Sequence, residues 1–261
     1  MFKSNKVNVR SIYLRLKSLL PDPIRDLLSG INQRLCARRT LIRKHGRWFD
    51  VDWRKKYRTV SDEEWIEAYD RAWKYHTNDC VEETDAKLIA SALESPGSVL
   101  EVGCGMGSLA IRLAQQGFRV SGLDVSAEAL TRARSQAEET GLKIDWHQGF
   151  AEKLPFADRA FDYVTCCHTL EHVRDLGAAV EEFKRVAKQK VVVLVPKQKF
   201  KMYADNYHTQ FFESREQLTD VFGLANARCI EIDCTDHSKE FQGKALLYIG
   251  TLNSTKMETQ K

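Results

Sequence analysis

The chain has 261 residues, 43% of them hydrophobic and 29% charged, with a formal net charge of +4. That is enough to bury a sizeable core without disulfide or metal staples, and too ordinary in composition for a collagen-like, coiled-coil or wholly disordered protein. No apolar run reaches the roughly 18 to 20 residues that cross a bilayer, and the first twenty residues lack a small-residue cleavage site after a clean apolar stretch, so neither a membrane span nor a secretory signal is expected.

The seven cysteines, an odd number with no C-x-x-C pair, suit a reducing compartment and predict a cytoplasmic protein. Charge is unevenly spread. Residues 1–60 carry 16 Lys or Arg against 4 acids, a net of +12, and the remainder carries a net of −8. Within the basic segment Ile12, Leu14, Leu16, Leu19, Leu20, Ile24, Leu27, Leu28, Ile31 and Leu35 recur at roughly helical spacing, interrupted by Pro21 and Pro23, which predicts two short amphipathic helices with a bend between them. Such a surface suits an anionic membrane, peripherally and through residues 1–47, or an acidic partner. The alternative is an arm packed on its own domain or on a twin subunit. Nucleic acid is disfavoured, since no basic motif interleaved with aromatics follows.

The pattern is helical from Ser61 to Leu93, in two stretches, until Pro96 and Gly97 punctuate it. A regular alternation follows: apolar SVLEVG, helical GSLAIRLAQQ, apolar FRVSGLDV, helical SAEALTRARSQAEET and apolar KIDWHQG. Strands alternating with helices predict right-handed crossovers and a parallel sheet. Ser126 reads as a helix N-cap and Gly141 as a stop. The strand FDYVTCC, a helix near Leu176 to Lys188, the strand KVVVLVP and a long loop over 197–213 come next. After a helix from Ser214 to Phe222, the runs Ala227 to Cys234 and Ala245 to Leu252 predict an antiparallel pair. The expected fold is α/β, a Rossmann-like doubly wound sheet of seven strands, mostly parallel. Its expected organisation is a basic extension over 1–60, a domain over 61–252 and a disordered polar tail over 253–261.

Gly103, Gly105 and Gly107 lie in EVGCGMGS, between the first strand and first helix of the alternation, where a tight turn admits a ligand to the backbone. Asp124 ends the second strand about 20 residues later, the position from which a carboxylate reaches ribose hydroxyls. The glycine pattern is G-x-G-x-G preceded by the acid Glu101, which would repel a pyrophosphate and suits a ligand bearing a cation.

With these features the sequence resembles the class I S-adenosylmethionine-dependent methyltransferases, in their small-molecule branch. The matching stretches are VLEVGCGMG, VSGLDVS, GFAEKLPFADRAFDYVTC and HTLEHV, over about residues 97–196, extended to about 252 by the closing helix and antiparallel pair. The first 60 residues lie outside it. The resemblance implies S-adenosyl-L-methionine as cofactor. Glu101, Gly103, Gly105 and Gly107 would form the pocket for its amino-acid end and sulfonium, Asp124 would accept from both ribose hydroxyls, and Leu123 and Val125 would flank the adenosine. Where relatives have Gly-Asp-Ala-Glu, this chain has Gly149, Phe150, Ala151 and Glu152. The usual partner of the adenine amino group is missing, leaving the Ala151 backbone to read the adenine edge and Phe150 to pack on the ring. The Pro-Gly-Gly turn common before the fifth strand is also absent. Cys104, Cys166 and Cys167 read as small buried hydrophobes, and a thiolate-based arsenite chemistry lacks an obvious third partner.

Methyl transfer from a sulfonium needs alignment and, for a hydroxyl acceptor, a base. His168, Glu171 and His172 in HTLEH follow the fourth strand at the carboxyl edge of the sheet, and their i, i+3, i+4 spacing predicts one helical face. Three readings stand: a histidine base oriented by Glu171, with His172 ahead of His168; a divalent metal held by His168, Glu171 and His172; or a polar helix start in which Glu171 caps or pairs with a nearby base. Quinone-pathway O-methyltransferases look similar here, with E-x-L-E-H, and small-RNA 2′-O-methyltransferases carry a comparable acid–histidine cluster. In the loop after the fifth strand, Tyr203, Tyr207, His208, Phe211 and Phe212 form a candidate acceptor wall. Lys197, Lys199 and Lys201 suit an anionic acceptor or an ordinary solvated charge run. Trp73, Tyr75 and His76 are a candidate lid over the cofactor, or core. The expected activity is O-methylation of a small or lipid-linked acceptor, such as a surface-glycan precursor, since bacterial methyltransferases of that kind look like this. The alternatives are a quinone-pathway phenol as acceptor, or a non-catalytic scaffold that keeps the fold.

Overall fold

A computed structural model describes residues 20–45, 50, 52–75, 81–200, 202, 206–234 and 243–252. It divides into two units, one of residues 1–53 with 202–206 and one of 54–201 with 207–261.

The first unit contains α1 (Asp22–His45). The Pro21 carbonyl accepts from the N–H groups of Ile24 and Arg25 at 3.0 Å, so the two prolines stand at the start of this helix, where a missing N–H costs nothing. The second of the two expected helices is α1, and the bend before it lies at the limit of the described residues. The first of the two expected helices, up to residue 19, lies outside the described residues. Ile24, Leu27, Ile31 and Leu35 are 46–63% exposed and form one stripe along α1.

In the second unit, a short helix α2 (Trp53–Lys56, its first residue counted with the first unit) is followed by α3 (Asp62–Tyr75) and α4 (Glu83–Leu93). The expected alternation follows: β1 (Ser98–Val102), α5 (Ser108–Gln115), β2 (Arg119–Asp124), α6 (Ala127–Glu139), β3 (Asp145–Gln148) and β4 (Phe161–Cys167). A single 3-10 turn, Leu170–His172, leads to α7 (Leu176–Val186), β5 (Ala187–Pro196), α8 (Arg215–Phe222), β6 (Asn226–Cys234) and β7 (Gly243–Thr251). The seven strands lie in the order β3-β2-β1-β4-β5-β7-β6. Those from β3 to β5 pair in parallel, and β7 pairs antiparallel with both β5 and β6. Ser126 caps α6 as expected, accepting from Ala129 N at 3.1 Å.

The sheet is buried on both faces, so its central strands are continuous apolar runs whose neighbours alternate sides. Val191, Val193 and Val195 pack with Phe183, Leu218 and Phe222 from α7 and α8, while Val192 and Leu194 pack with Ile89, Leu93, Leu109 and Leu113 from α4 and α5. Cys166 and Cys167 share this alternation and belong to opposite faces. Burial pushes both thiols well up, which makes them packing groups. Among the described residues no helix is long and apolar enough to cross a membrane.

Candidate active site

The turn from β1 to α5 runs through Gly103 (φ +72°) and Gly105 (φ +52°), left-handed backbone that glycine adopts without penalty. Space demands glycine as well. A Cβ on Gly103 would stand 2.1 Å from the Thr169 side chain, and one on Gly105 2.7 Å from the Trp73 indole. Gly107 is the N-cap residue of α5. The N–H groups of Gly103 and Cys104 donate to the Leu123 carbonyl at 2.7 and 3.0 Å. Gly105 N donates to Asp124 Oδ2, and Ser126 N to Oδ1, both at 2.9 Å. Two backbone donors thus orient the Asp124 carboxylate.

Glu101 and Asp124 are 1% and 6% exposed and end neighbouring strands on either side of the glycine turn. Leu123 is buried, and Val125 is half-buried with its carbonyl accepting from Gln148 Nε2. Two carboxylates around a turn without side chains, at the carboxyl edge of a doubly wound sheet, fit a ligand that brings ribose hydroxyls and an ammonium group.

In the loop after β3, Phe150 and Glu152 both engage the chain just before α7. The Phe150 ring lies under the Arg174 guanidinium, 4.9 Å away, and Trp65 lies 5.0 Å from the same group. The Glu152 carboxylate accepts from the backbone N–H groups of Arg174 and Asp175 at 2.7 and 3.3 Å, which ties it to the start of α7. Ala151 is buried.

Past β4 the chain does not begin a helix. His168 N donates to the Leu194 carbonyl at 2.9 Å, and His168 takes φ +51°, a conformation that costs a non-glycine residue about 1–2 kcal/mol. The single helical face expected for His168, Glu171 and His172 is therefore corrected: the left-handed residue sets the His168 ring between Glu171 and Asp85 of α4. Its Nε2 lies 4.0 Å from Asp85 and its Nδ1 3.7 Å from Glu171. His208 joins Glu171 and His172 instead, and each of the three offers a ligand atom within 4.8 Å of the others. The Thr209 and Gln210 N–H groups, donating to the Glu171 carbonyl at 2.8 and 2.9 Å, bring His208 there. The His172 and His208 rings meet edge to face at 4.7 Å.

Glu171 is fully buried, and among the described residues neither of its carboxylate oxygens nor His172 Nδ1 has a hydrogen-bond partner. Burial lowers the pKa of His172, against the raising influence of Glu171, and lowers that of His208 well below the usual imidazole range. Both rings are held neutral, and Nδ1 of His208 accepts from Gln198 Nε2 at 2.5 Å.

Of the other acceptor-side residues, Tyr207 is buried with its ring 5.5 Å from that of Tyr69, and Phe211 lies 4.8 Å beneath the Arg54 guanidinium. Lys197 pairs with Glu231. Tyr203, Lys201 and His76 lie outside the described residues. Tyr75 is 60% exposed, whereas Trp73 rests on the glycine turn.

The family model for the methyltransferase domain matches residues 99–190. A ubiquinone biosynthesis O-methyltransferase of Sodalis glossinidius is 44% identical over 92 residues, 35% of this chain and 37% of that protein. The chain thus matches little more than a third of the length of the curated relatives. Among solved structures, one titled a SAM-dependent methyltransferase from Aquifex aeolicus superposes with a TM-score of 0.52 at 15% identity, over 75% of this chain and all of that one. A protein from Pyrococcus horikoshii reaches 0.55 at 20%, over 66% and 89%. At such identities the likeness is of fold. Residues 99–190 thus match a methyltransferase domain, within a mixed seven-stranded fold that these solved structures share.

Three functional candidates escape the sequence pattern: His208 as partner of the Glu171–His172 pair, and Asp85 and Tyr69 from helices outside residues 99–190. Their only sequence signal is a polar or aromatic residue on an otherwise apolar helix face or in a loop, which structural residues share.

Proposed function

We propose that this domain transfers a methyl group from S-adenosylmethionine to a hydroxyl of a small or lipid-linked acceptor. The observation that carries this reading is the adjacency of two unlike sites at one sheet edge. The Glu101–Gly105–Asp124 turn suits the cofactor, and the buried cluster of Glu171, His172 and His208 lies at the end of β4, beside β1. When bound, the cofactor supplies an activated methyl group, so the protein's remaining work is alignment and proton removal. His172, held neutral, would take the acceptor's proton as the methyl passes from sulfur to the acceptor oxygen and S-adenosylhomocysteine leaves, and Glu171 would stabilise the imidazolium that results.

A second reading is favoured by the 4.8 Å convergence of the three donors around a carboxylate that accepts no hydrogen bond among the described residues. One carboxylate and two neutral imidazoles suit a divalent first-row cation, zinc among them. There the cluster would lower the acceptor hydroxyl's own pKa in place of acting as a simple base.

The exposed apolar stripe of α1 supports a lipid-linked acceptor at an anionic membrane surface. The same helix carries six Lys or Arg against two acids, so it combines apolar insertion with attraction to acidic headgroups. The relatives, named for ubiquinone biosynthesis, support a phenol of the quinone pathway over a surface-glycan precursor, while the family match at residues 99–190 stops short of the 197–213 loop.

Calorimetry with S-adenosylhomocysteine, followed by transfer of labelled methyl to a prenylated catechol and to a lipid-linked sugar, tests the reading. Failure to bind S-adenosylhomocysteine overturns it. Binding without transfer to any hydroxyl acceptor leaves the non-catalytic scaffold.

A further inference from the structure

Helix α3 lies outside the segment that matches the family model, yet it touches the chain just past the carboxyl ends of β1, β2 and β4. Trp65, Tyr69 and Trp73 recur every four residues and form one ridge on it. At one end Trp65 faces Arg174. In the middle, Tyr69 sets its ring edge to face with His172, 5.9 Å between centroids, and tilts against Tyr207. At the other end, Cη2 and Cζ2 of the Trp73 indole lie where a Gly105 Cβ would come within 2.7 and 2.8 Å. The indole rests on bare backbone of the turn whose N–H orients Asp124.

A polar anchor holds this end down. Asp70 Oδ1 accepts from Ser126 Oγ at 2.6 Å and from Glu128 N at 3.2 Å, so a carboxylate from α3 caps the N-terminus of α6, where negative charge is favoured. Ser126 also donates its N–H to Asp124. The anchor of α3 and the candidate ribose acid therefore share one residue.

We propose that α3 is a wall of the cofactor site, with Trp73 contacting bound S-adenosylmethionine at the glycine turn and Asp70 positioning it there. The inference rests on the cofactor reading above and extends it to residues which that reading leaves out. Trp73 is half-buried and belongs to neither apolar core of the sheet. An indole face beside the turn covers the ligand's apolar methylene groups and attracts a neighbouring sulfonium through the ring's electron-rich face. Tyr69 is pushed up by its own burial first, then by the charges of Tyr207, Glu152, Asp124 and Glu171. This is consistent with α3 crossing the boundary between the cofactor acids and the acceptor cluster.

The test is calorimetric titration of the full chain with S-adenosylhomocysteine, with melting temperatures recorded for every variant. Trp73→Ala is expected to weaken binding about tenfold or more, the scale of one lost aromatic contact, and Trp73→Phe to weaken it less. Asp70→Ala is expected to weaken binding, and Asp70→Asn, which keeps an acceptor oxygen at Oδ1, to recover most of that loss. Titration of wild type should also change tryptophan emission, and Trp73→Phe should abolish the change. Wild-type or tighter affinity in both Trp73 variants overturns the inference and leaves the cofactor reading standing. A wild type that binds no S-adenosylhomocysteine overturns both.

Discussion

Replacing Asp124 by alanine separates what this carboxylate does for the fold from what it does for a ligand. In the structure its two oxygens accept from Gly105 N and Ser126 N at 2.9 Å, and the side chain is 6% exposed. Hydrogen bonds to a charged acceptor contribute about 1.5–3 kcal/mol each, so these two contribute about 3–6 kcal/mol to stability. Relaxation of the turn and entry of water bring the expected value to the lower end of that range. Ligand binding is a separate quantity. If the same carboxylate also accepts from both ribose hydroxyls, at about 1.5–3 kcal/mol each, affinity for S-adenosylhomocysteine falls by at least about two orders of magnitude. Urea unfolding reads the first and calorimetry the second. Asp124→Asn isolates the charge: it keeps the shape, sets an amide N–H against one backbone donor, and should lie between wild type and alanine in both assays. An alanine variant that unfolds like wild type would refute the two backbone bonds, and one that binds S-adenosylhomocysteine with wild-type affinity removes Asp124 from the cofactor site.

Four further outcomes are expected. His172→Ala should cut methyl transfer by roughly 10² or more with cofactor affinity nearly unchanged, and full activity in that variant refutes its role. A chelator that abolishes transfer, with zinc or magnesium restoring it, would select the metal reading of Glu171, His172 and His208, whereas an indifferent enzyme selects the base. For His208 the folded pKa lies well below the usual value, so the unfolded chain binds the proton first. Stability should be fully present above about pH 7 and fall below about pH 6.5 by up to 1.4 kcal/mol per pH unit for this group. His208→Asn in the presence of chelator should flatten that slope, and equal slopes in both proteins would refute the burial. Deleting residues 1–47, which carry 12 Lys or Arg against 2 acids, should leave a chain that binds S-adenosylhomocysteine but no longer sediments with anionic liposomes. A full-length protein that ignores such liposomes at low salt rules out the membrane surface.

Most of the sheet was legible because its signals are local. Alternating apolar runs and helical periods need only neighbours in sequence, and Ser126 and Ser214 announce α6 and α8 by capping the next turn. The glycine turn and Asp124 were legible for a related reason: a left-handed backbone and a strand-ending acid are fixed by residue type. The acceptor side was not. His168 takes its left-handed conformation beside a hydrogen bond to Leu194, 26 positions away, so the period of 3.6 that seemed to align HTLEH was interrupted by a partner that no local window contains.

The same distance dependence explains why the cluster acquired a different third member. His208 reaches Glu171 only because two N–H groups of the following residues dock on one carbonyl of the 3-10 turn. Burial then makes the result chemically distinct from its sequence appearance. An exposed His-x-x-Glu-His would titrate near pH 6.5, but here desolvation keeps both His172 and His208 neutral beside a carboxylate without hydrogen-bond partners. A buried, unpartnered carboxylate is costly unless a proton, a cation or a substrate hydroxyl meets it. His168 Nδ1, 3.7 Å from this carboxylate, lies beyond hydrogen-bond distance, so Glu171 argues more strongly for chemistry at this edge than either histidine does alone.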